Sequence, residues 1–164
     1  MAVSVAQIVK TLPVPVRKRS EDGKVVDDTL EIEYRPVTKA WLDKWEEIRL
    51  KEQAVAQASF ALLAERMAAR AALEGAKEED RAELQSKLED VERRAREHRE
   101  ANPEPEYDFL TRQMADLLVD VGYVGEDGKP LPVTEENLAN VVDRELLVEI
   151  SERIEKKLSR GSKT

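Results

Sequence analysis

The sequence predicts an α+β fold that is mostly α, with an N-terminal β-hairpin, a long central helical hairpin and a C-terminal bundle of short helices. Three observations carry that prediction. Residues 38–100 contain no proline and one glycine, Gly75, in a run of Ala, Glu, Arg, Lys, Leu and Gln, the strongest helix formers. The segment before it alternates apolar and polar residues on either side of an Asp-Gly turn. The segment after it holds short apolar-periodic stretches, each preceded by a capping residue. The chain accordingly reads as three sections, 1–37, 38–101 and 102–164, of one folded unit.

Residues 1–37 open on Val3, Val5, Ile8, Val9, Leu12, Val14 and Val16, an apolar, β-branched series that predicts a strand. Pro13 and Pro15 lack a backbone donor, so that strand belongs at a sheet edge or is broken there. Glu21-Asp22-Gly23-Lys24 is a turn signal. The return strand runs through Val25, Val26, Leu30, Ile32 and Tyr34, with Glu31, Glu33 and Arg35 on the other face. The basic run Arg17-Lys18-Arg19 beside the turn reads as a solvated strand end. Pro36 stops the strand and Thr38 caps the next helix. Trp41, Trp45 and Ile48 share one face of that helix. They either anchor it on the hairpin or form an aromatic hot spot for a partner.

One straight helix over the central section would be about 95 Å long at roughly 1.5 Å per residue. A fold-back near Gly75 gives arms of about 50 Å and 35 Å instead. In the first arm Phe60, Leu63 and Met67 form an i, i+3, i+7 stripe among alanines, expected to pack on the second arm. In the second arm Leu84, Leu88, Val91, Ala95 and His98 repeat at four, three, four and three, a short heptad seam with charged flanks. A stripe that narrow gains little stability from its own core, so self-association or a bound partner is expected. Trp41, Trp45, Phe60, Leu63, Met67, Leu84, Leu88 and Val91 are the candidate partner contacts. His98, the only histidine, is expected to be solvated, and no second metal ligand stands at useful spacing.

Asn102-Pro103-Glu104-Pro105 is a stiff break. Asp108 is expected to cap a helix carrying Phe109, Leu110, Met114, Leu117, Leu118 and Val121, stopped by Gly122. A loop follows that repeats the Glu-Asp-Gly-Lys tetrapeptide as residues 126–129. Turn chemistry used twice explains the echo, and the spacing of a phosphate-binding loop is absent. Thr134 then caps a short helix with acidic residues in its first turn, lined by Leu138, Val141 and Val142. Asp143 caps the last helix, where Leu146, Leu147, Ile150, Ile154 and Leu158 form an amphipathic stripe ending in a frayed tail from Arg160 to Thr164.

Composition bounds the function. Charged residues make up 38% of the 164 and aromatics 4%, which suits a thin aliphatic core and exposed rods rather than an enzyme built around a deep pocket. A net charge of −8 argues against wrapping nucleic acid. The absence of cysteine excludes disulfides and thiolate metal sites. No apolar run approaches the roughly 18 residues of a membrane span, and no signal-peptide core opens the chain. The expectation is a soluble, intracellular non-enzyme with no cofactor, since nothing selects a nucleophile with its base or a converging carboxylate pair.

The segments Leu30-Glu31-Ile32-Glu33-Tyr34-Arg35-Pro36-Val37-Thr38 and Asp127-Gly128-Lys129-Pro130-Leu131-Pro132-Val133-Thr134-Glu135-Glu136-Asn137-Leu138 together resemble the tail assembly chaperones of long-tailed, siphovirus-type bacteriophages. In that family an N-terminal β-hairpin runs through a YRPLT-like strand end into helices. A late DGKPVPLT-EENL segment precedes a final short helix pair, matched here by Leu146, Leu147 and Ile150. The resemblance covers less than half of the chain, and the long Ala/Glu/Arg-rich centre departs from it. It implies an assembly factor of the infected host's cytoplasm that coats the tape measure protein and recruits tail tube subunits. It implies no binding residues. A phage scaffolding or structural virion protein, or a small helical regulator of a host protein, are the rival readings.

Overall fold

The computed structural model describes residues 8–161. Val3 and Val5 of the expected first strand, and the end of the expected frayed tail, lie outside the described residues. Strand β1 (Lys10–Arg19) pairs antiparallel with β2 (Val25–Tyr34) in one unbroken register from Lys10↔Tyr34 to Arg19↔Val25. Pro13 and Pro15 sit opposite Glu31 and Thr29 without breaking it. They are tolerated because β1 is an edge of the sheet, where missing donors leave no ladder incomplete. The same register lays Leu12 on Ile32 and Val14 on Leu30, and the sheet buries that face. Val25 and Val26, at the turn end, stay exposed. The basic run is paired across the strands, Arg17 with Asp27 at 3.4 Å and Lys18 with Asp28 at 2.5 Å.

The repeated tetrapeptide makes the same turn twice. In the first, Ser20 N–H donates to the Lys24 carbonyl and Lys24 N–H to Asp22 Oδ1, with Gly23 at φ +82°. In the second, Gly125 N–H donates to the Lys129 carbonyl and Lys129 N–H to Asp127 Oδ1, with Gly128 at φ +75°. The Asp side chain closes the turn while glycine takes the left-handed residue cheaply.

The described residues of Met1–Leu42 and Tyr107–Thr164 gather into one unit, and Asp43–Glu106 into another. In the first, helix α3 (Phe109–Leu117) starts at Asp108, whose carboxylate accepts the Thr111 N–H at 2.9 Å. This helix is shorter than the sequence predicts. Leu118–Asp120 leave it as a third strand, β3, pairing Leu118 with Tyr34 and Asp120 with Glu33. The outer edge of β2 offers unpaired backbone groups there, and Arg35 N–H also reaches the Leu117 carbonyl at 2.9 Å, so pairing wins over another helical turn. Gly122 follows at φ +74°.

Helix α4 (Glu135–Asn140) is capped by the Thr134 hydroxyl, which accepts the Asn137 N–H at 3.1 Å. Helix α5 (Arg144–Gly161) begins after Asp143, whose carboxylate accepts the Glu145 N–H at 2.9 Å. Leu146, Leu147, Ile150 and Ile154 of α5 join Leu12, Val14, Ile32 and Tyr34 of the sheet, and Met114 and Leu117 of α3, in one core. Two expected core positions, Val141 and Leu158, lie outside it and are exposed.

The second unit is a helical hairpin. Helix α1 (Lys39–Glu74) contributes its length from Asp43 onward, and α2 (Arg81–Ala101) returns antiparallel to it. The antiparallel order follows from its cross-links: Arg70 to Glu92, Glu65 to Arg94 and Ser59 to His98. The bend falls at Gly75 as the sequence predicts, but not by the left-handed cap that glycine usually supplies. Gly75 has no positive φ, and the turn is carried by a 3-10 segment, Glu78–Asp80.

Candidate partner-binding surface

The inward row of α1 is Trp45, Ile48, Glu52, Val55, Ser59, Leu62, Arg66, Ala69 and Leu73, alternating three and four residues apart. Trp45 is buried and the rest are half-buried, except the exposed Ser59, whose hydroxyl meets His98. Opposite it run Leu84, half-buried, and Leu88 and Val91, both buried. The expected seam of α2 is therefore present. The seam of α1 is a full heptad row that polar residues conceal, with Glu52, Ser59 and Arg66 standing where apolar residues would be sought.

The stripe expected to fill that seam faces away from it. Phe60 is 73% exposed, Met67 63% and Leu63 46%, so their expected packing on the second arm is overturned. The reason is angular: three residues beyond the seam positions 59 and 66 would restore the row, but 60, 63 and 67 lie about a third of a turn around the helix. Ala56, Ala64 and Ala71 share the outward face, all exposed. From Gln53 to Ala64 the chain carries no charge at all. Nearby charges are engaged elsewhere: Arg49 with Glu46 at 2.5 Å, Glu65 with Arg94 at 2.7 Å and Arg70 with Glu92 at 3.4 Å. The result is an apolar strip on a rod, rimmed by salt-bridged residues.

One end of the strip borders an open cleft of about 610 Å³, lined by Val55, Ser59 and Phe60 of α1, His98 of α2, and the Asn102–Pro105 segment. His98 is not solvated as expected. Its Nε2 lies 3.1 Å from Ser59 Oγ and 3.3 Å from the Val55 carbonyl, while Nδ1 faces the Asn102 side-chain amide at 3.4 Å. Asp90 sits beside α2's arginines, and hydrogen bonds from Arg93 and then Arg94 hold its carboxyl below the usual carboxylate range.

The two tryptophans part company. Trp41 is half-buried against the core of the first unit and donates from Nε1 to Asp116 Oδ2 at 3.0 Å, tying the first turn of α1 to α3. Trp45 is buried, with the Lys44 ammonium 5.4 Å from its ring centroid. Of the eight candidate contacts, then, the geometry brings Phe60, Leu63 and Met67 together on one accessible face and withdraws Leu88, Val91 and Trp45 from the surface.

Among the described residues no group of three His, Asp or Glu side chains stands where it could hold a metal ion. No helix among them is long and apolar enough to cross a membrane. The two segments that resemble tail assembly chaperones both fall in the first unit, one as the end of β2 and its exit, the other as the second Glu-Asp-Gly-Lys turn and the capped start of α4. Comparison with family models, curated proteins and solved structures finds no match to this chain.

Proposed function

We propose that this protein is a tail assembly chaperone of a long-tailed bacteriophage, acting in the host cytoplasm by binding rather than by chemistry. It holds the tape measure protein soluble and brings tail tube subunits to it. The observation that carries the reading is the Phe60-Leu63-Met67 strip. A chain that places its one exposed phenylalanine and a methionine outside a polar-lined helical seam displays them, and an amphipathic client helix is the natural occupant of such a face. The long client of a tail chaperone presents many such helices in succession. The net charge of −8 keeps a complex of exposed apolar segments dispersed. The sequence resemblance, confined to the sheet-containing unit, supports this choice of family.

Co-expression with the tape measure protein tests this. The client stays in the soluble fraction with the native chain and elutes with it on size exclusion. It precipitates when the strip is made polar by Phe60→Ser and Met67→Ser together. A client that is equally soluble with either chain, or insoluble with both, removes the strip from this role. Recovery of the chain at fixed stoichiometry in finished particles would favour a structural virion protein instead.

A further inference from the structure

We propose that, when no client is bound, the outward strip of α1 is covered by the same strip of a second copy, packed antiparallel about a two-fold axis between Leu63 and Ala64. This goes beyond the chaperone role and does not depend on it, since self-pairing requires only this chain.

A two-fold interface needs a patch that is complementary to itself. The order of residues along α1 has that property. Around the midpoint of Leu63 and Ala64, Phe60 stands opposite Met67 of the second copy, Leu63 opposite Ala64 and Ala56 opposite Ala71. Sulfur against an aromatic ring is a favourable contact, and the pair forms twice. Leu63 meets a small residue, and the Ala56/Ala71 positions let the two backbones close in at both ends. Residues 56, 60, 63, 67 and 71, spaced four, three, four and four, keep to one face of α1, the pattern that lets two helices lie alongside each other at a shallow crossing angle of about 20°.

Electrostatics selects the direction. Two chains of charge −8 repel, so an interface must avoid placing like charges face to face. The antiparallel order sets Glu74 level with Gln53. A parallel, in-register pair would set Glu74 on Glu74. All these positions are exposed. An overlap from Gln53 to Glu74 buries on the order of 1,000 Å² in total, the size of a reversible interface rather than an obligate one. A client can therefore displace it.

The full chain in sedimentation equilibrium is expected to show a reversible monomer–dimer equilibrium. Phe60→Glu is expected to weaken it at least tenfold, with an unchanged circular dichroism spectrum because the side chain it replaces is exposed. The absence of cysteine makes the register readable. An equimolar mixture of Ala56→Cys and Ala71→Cys chains is expected to cross-link on mild oxidation faster than either variant alone. A native chain that stays monomeric at several hundred micromolar overturns the proposal, as does a Phe60→Glu chain that dimerises as tightly as the native one. Ala71→Cys cross-linking fastest with itself overturns the register. None of these readings involves the client, so failure of the chaperone experiment and failure of this one are separate events.

Discussion

His98 Nε2 on α2 lies 3.1 Å from Ser59 Oγ on α1, and this contact joins the two arms of the hairpin where α2 runs out. It has the composition of a catalytic pair and the wrong polarity for one. The Asn102 amide donates toward Nδ1, which leaves the ring proton on Nε2, pointing at Ser59 and the Val55 carbonyl. The imidazole therefore donates to Ser59 and cannot take its proton. Long-range proton–nitrogen NMR at alkaline pH is expected to report the Nε2-H tautomer. His98→Ala is expected to cost the hairpin about 1 kcal/mol, read by chemical denaturation, because the ring's hydrogen bonds between the arms are lost, while the Val55 carbonyl keeps the Ser59 hydroxyl and the Asn102 amide keeps the backbone carbonyl of residue 98. An Nδ1-H tautomer would reverse the assignment.

The contact also shows where sequence reading reaches and where it stops. Caps and turns are local: Asp108, Thr134 and Asp143 act on backbone donors two or three residues away, and both Glu-Asp-Gly-Lys turns close within five residues. Each was legible because cause and effect lie side by side in the chain. Strand β3 was not, since Leu118–Asp120 are helix-compatible and become a strand only because β2 offers an edge far away in sequence. The α1 seam was hidden for a different reason. Following the largest side chains leads to Phe60, Leu63 and Met67, whereas the packing runs through Glu52, Ser59 and Arg66, whose spacing rather than polarity marks the face. The spacing places His98 in the α2 seam, but its charged neighbours Glu97 and Arg99 point to solvent and give no sign of its contact with Ser59 and Val55.

Stability should separate the two faces of the hairpin. Leu88→Ala removes a buried side chain and is expected to cost about 2–4 kcal/mol, while Phe60→Ala, on the exposed strip, is expected to stay within about 0.5 kcal/mol in dilute solution. Urea denaturation followed at 222 nm reads both. Equal losses would mean that the strip is packed after all.

Asp108 gives the first unit an acid dependence. Its partial burial opposes ionisation, but hydrogen bonds from Thr111 and from Arg144, whose Nη2 lies 2.7 Å away, outweigh it and hold the carboxyl below the usual range. A carboxyl lowered on folding contributes stability at pH above its unfolded value, and that contribution is lost as pH falls through the folded value. Asp108→Asn keeps a capping oxygen and is expected to flatten the loss of stability below about pH 4, whereas Asp108→Ala costs about 1 kcal/mol at neutral pH. Thermal melts between pH 2 and 7 measure both. An unchanged acid limb in the Asn variant would contradict the assignment.

Two glycines should respond oppositely to alanine. At Gly122, φ is +74° and a Cβ would come within 3.2 Å of Leu30 Cδ2, so Gly122→Ala is expected to destabilise by about 1–2 kcal/mol. At Gly75 no positive φ is required and the nearest atom to a Cβ is 3.8 Å away, so Gly75→Ala is expected to be neutral or stabilising by up to about 1 kcal/mol. Midpoint shifts in paired thermal melts of the two variants check the signs.

The role proposed for the Phe60-Leu63-Met67 strip is to hold a helical segment of the tape measure protein. Calorimetric titration of the full chain with such a segment, over a range of temperatures, tests it most directly. The account predicts saturable binding with a negative heat-capacity change, the mark of apolar burial. It also predicts at least a tenfold weaker affinity for the chain carrying Phe60→Ser and Met67→Ser. Equal affinity of the native and substituted chains, or no binding by the native chain, would contradict it.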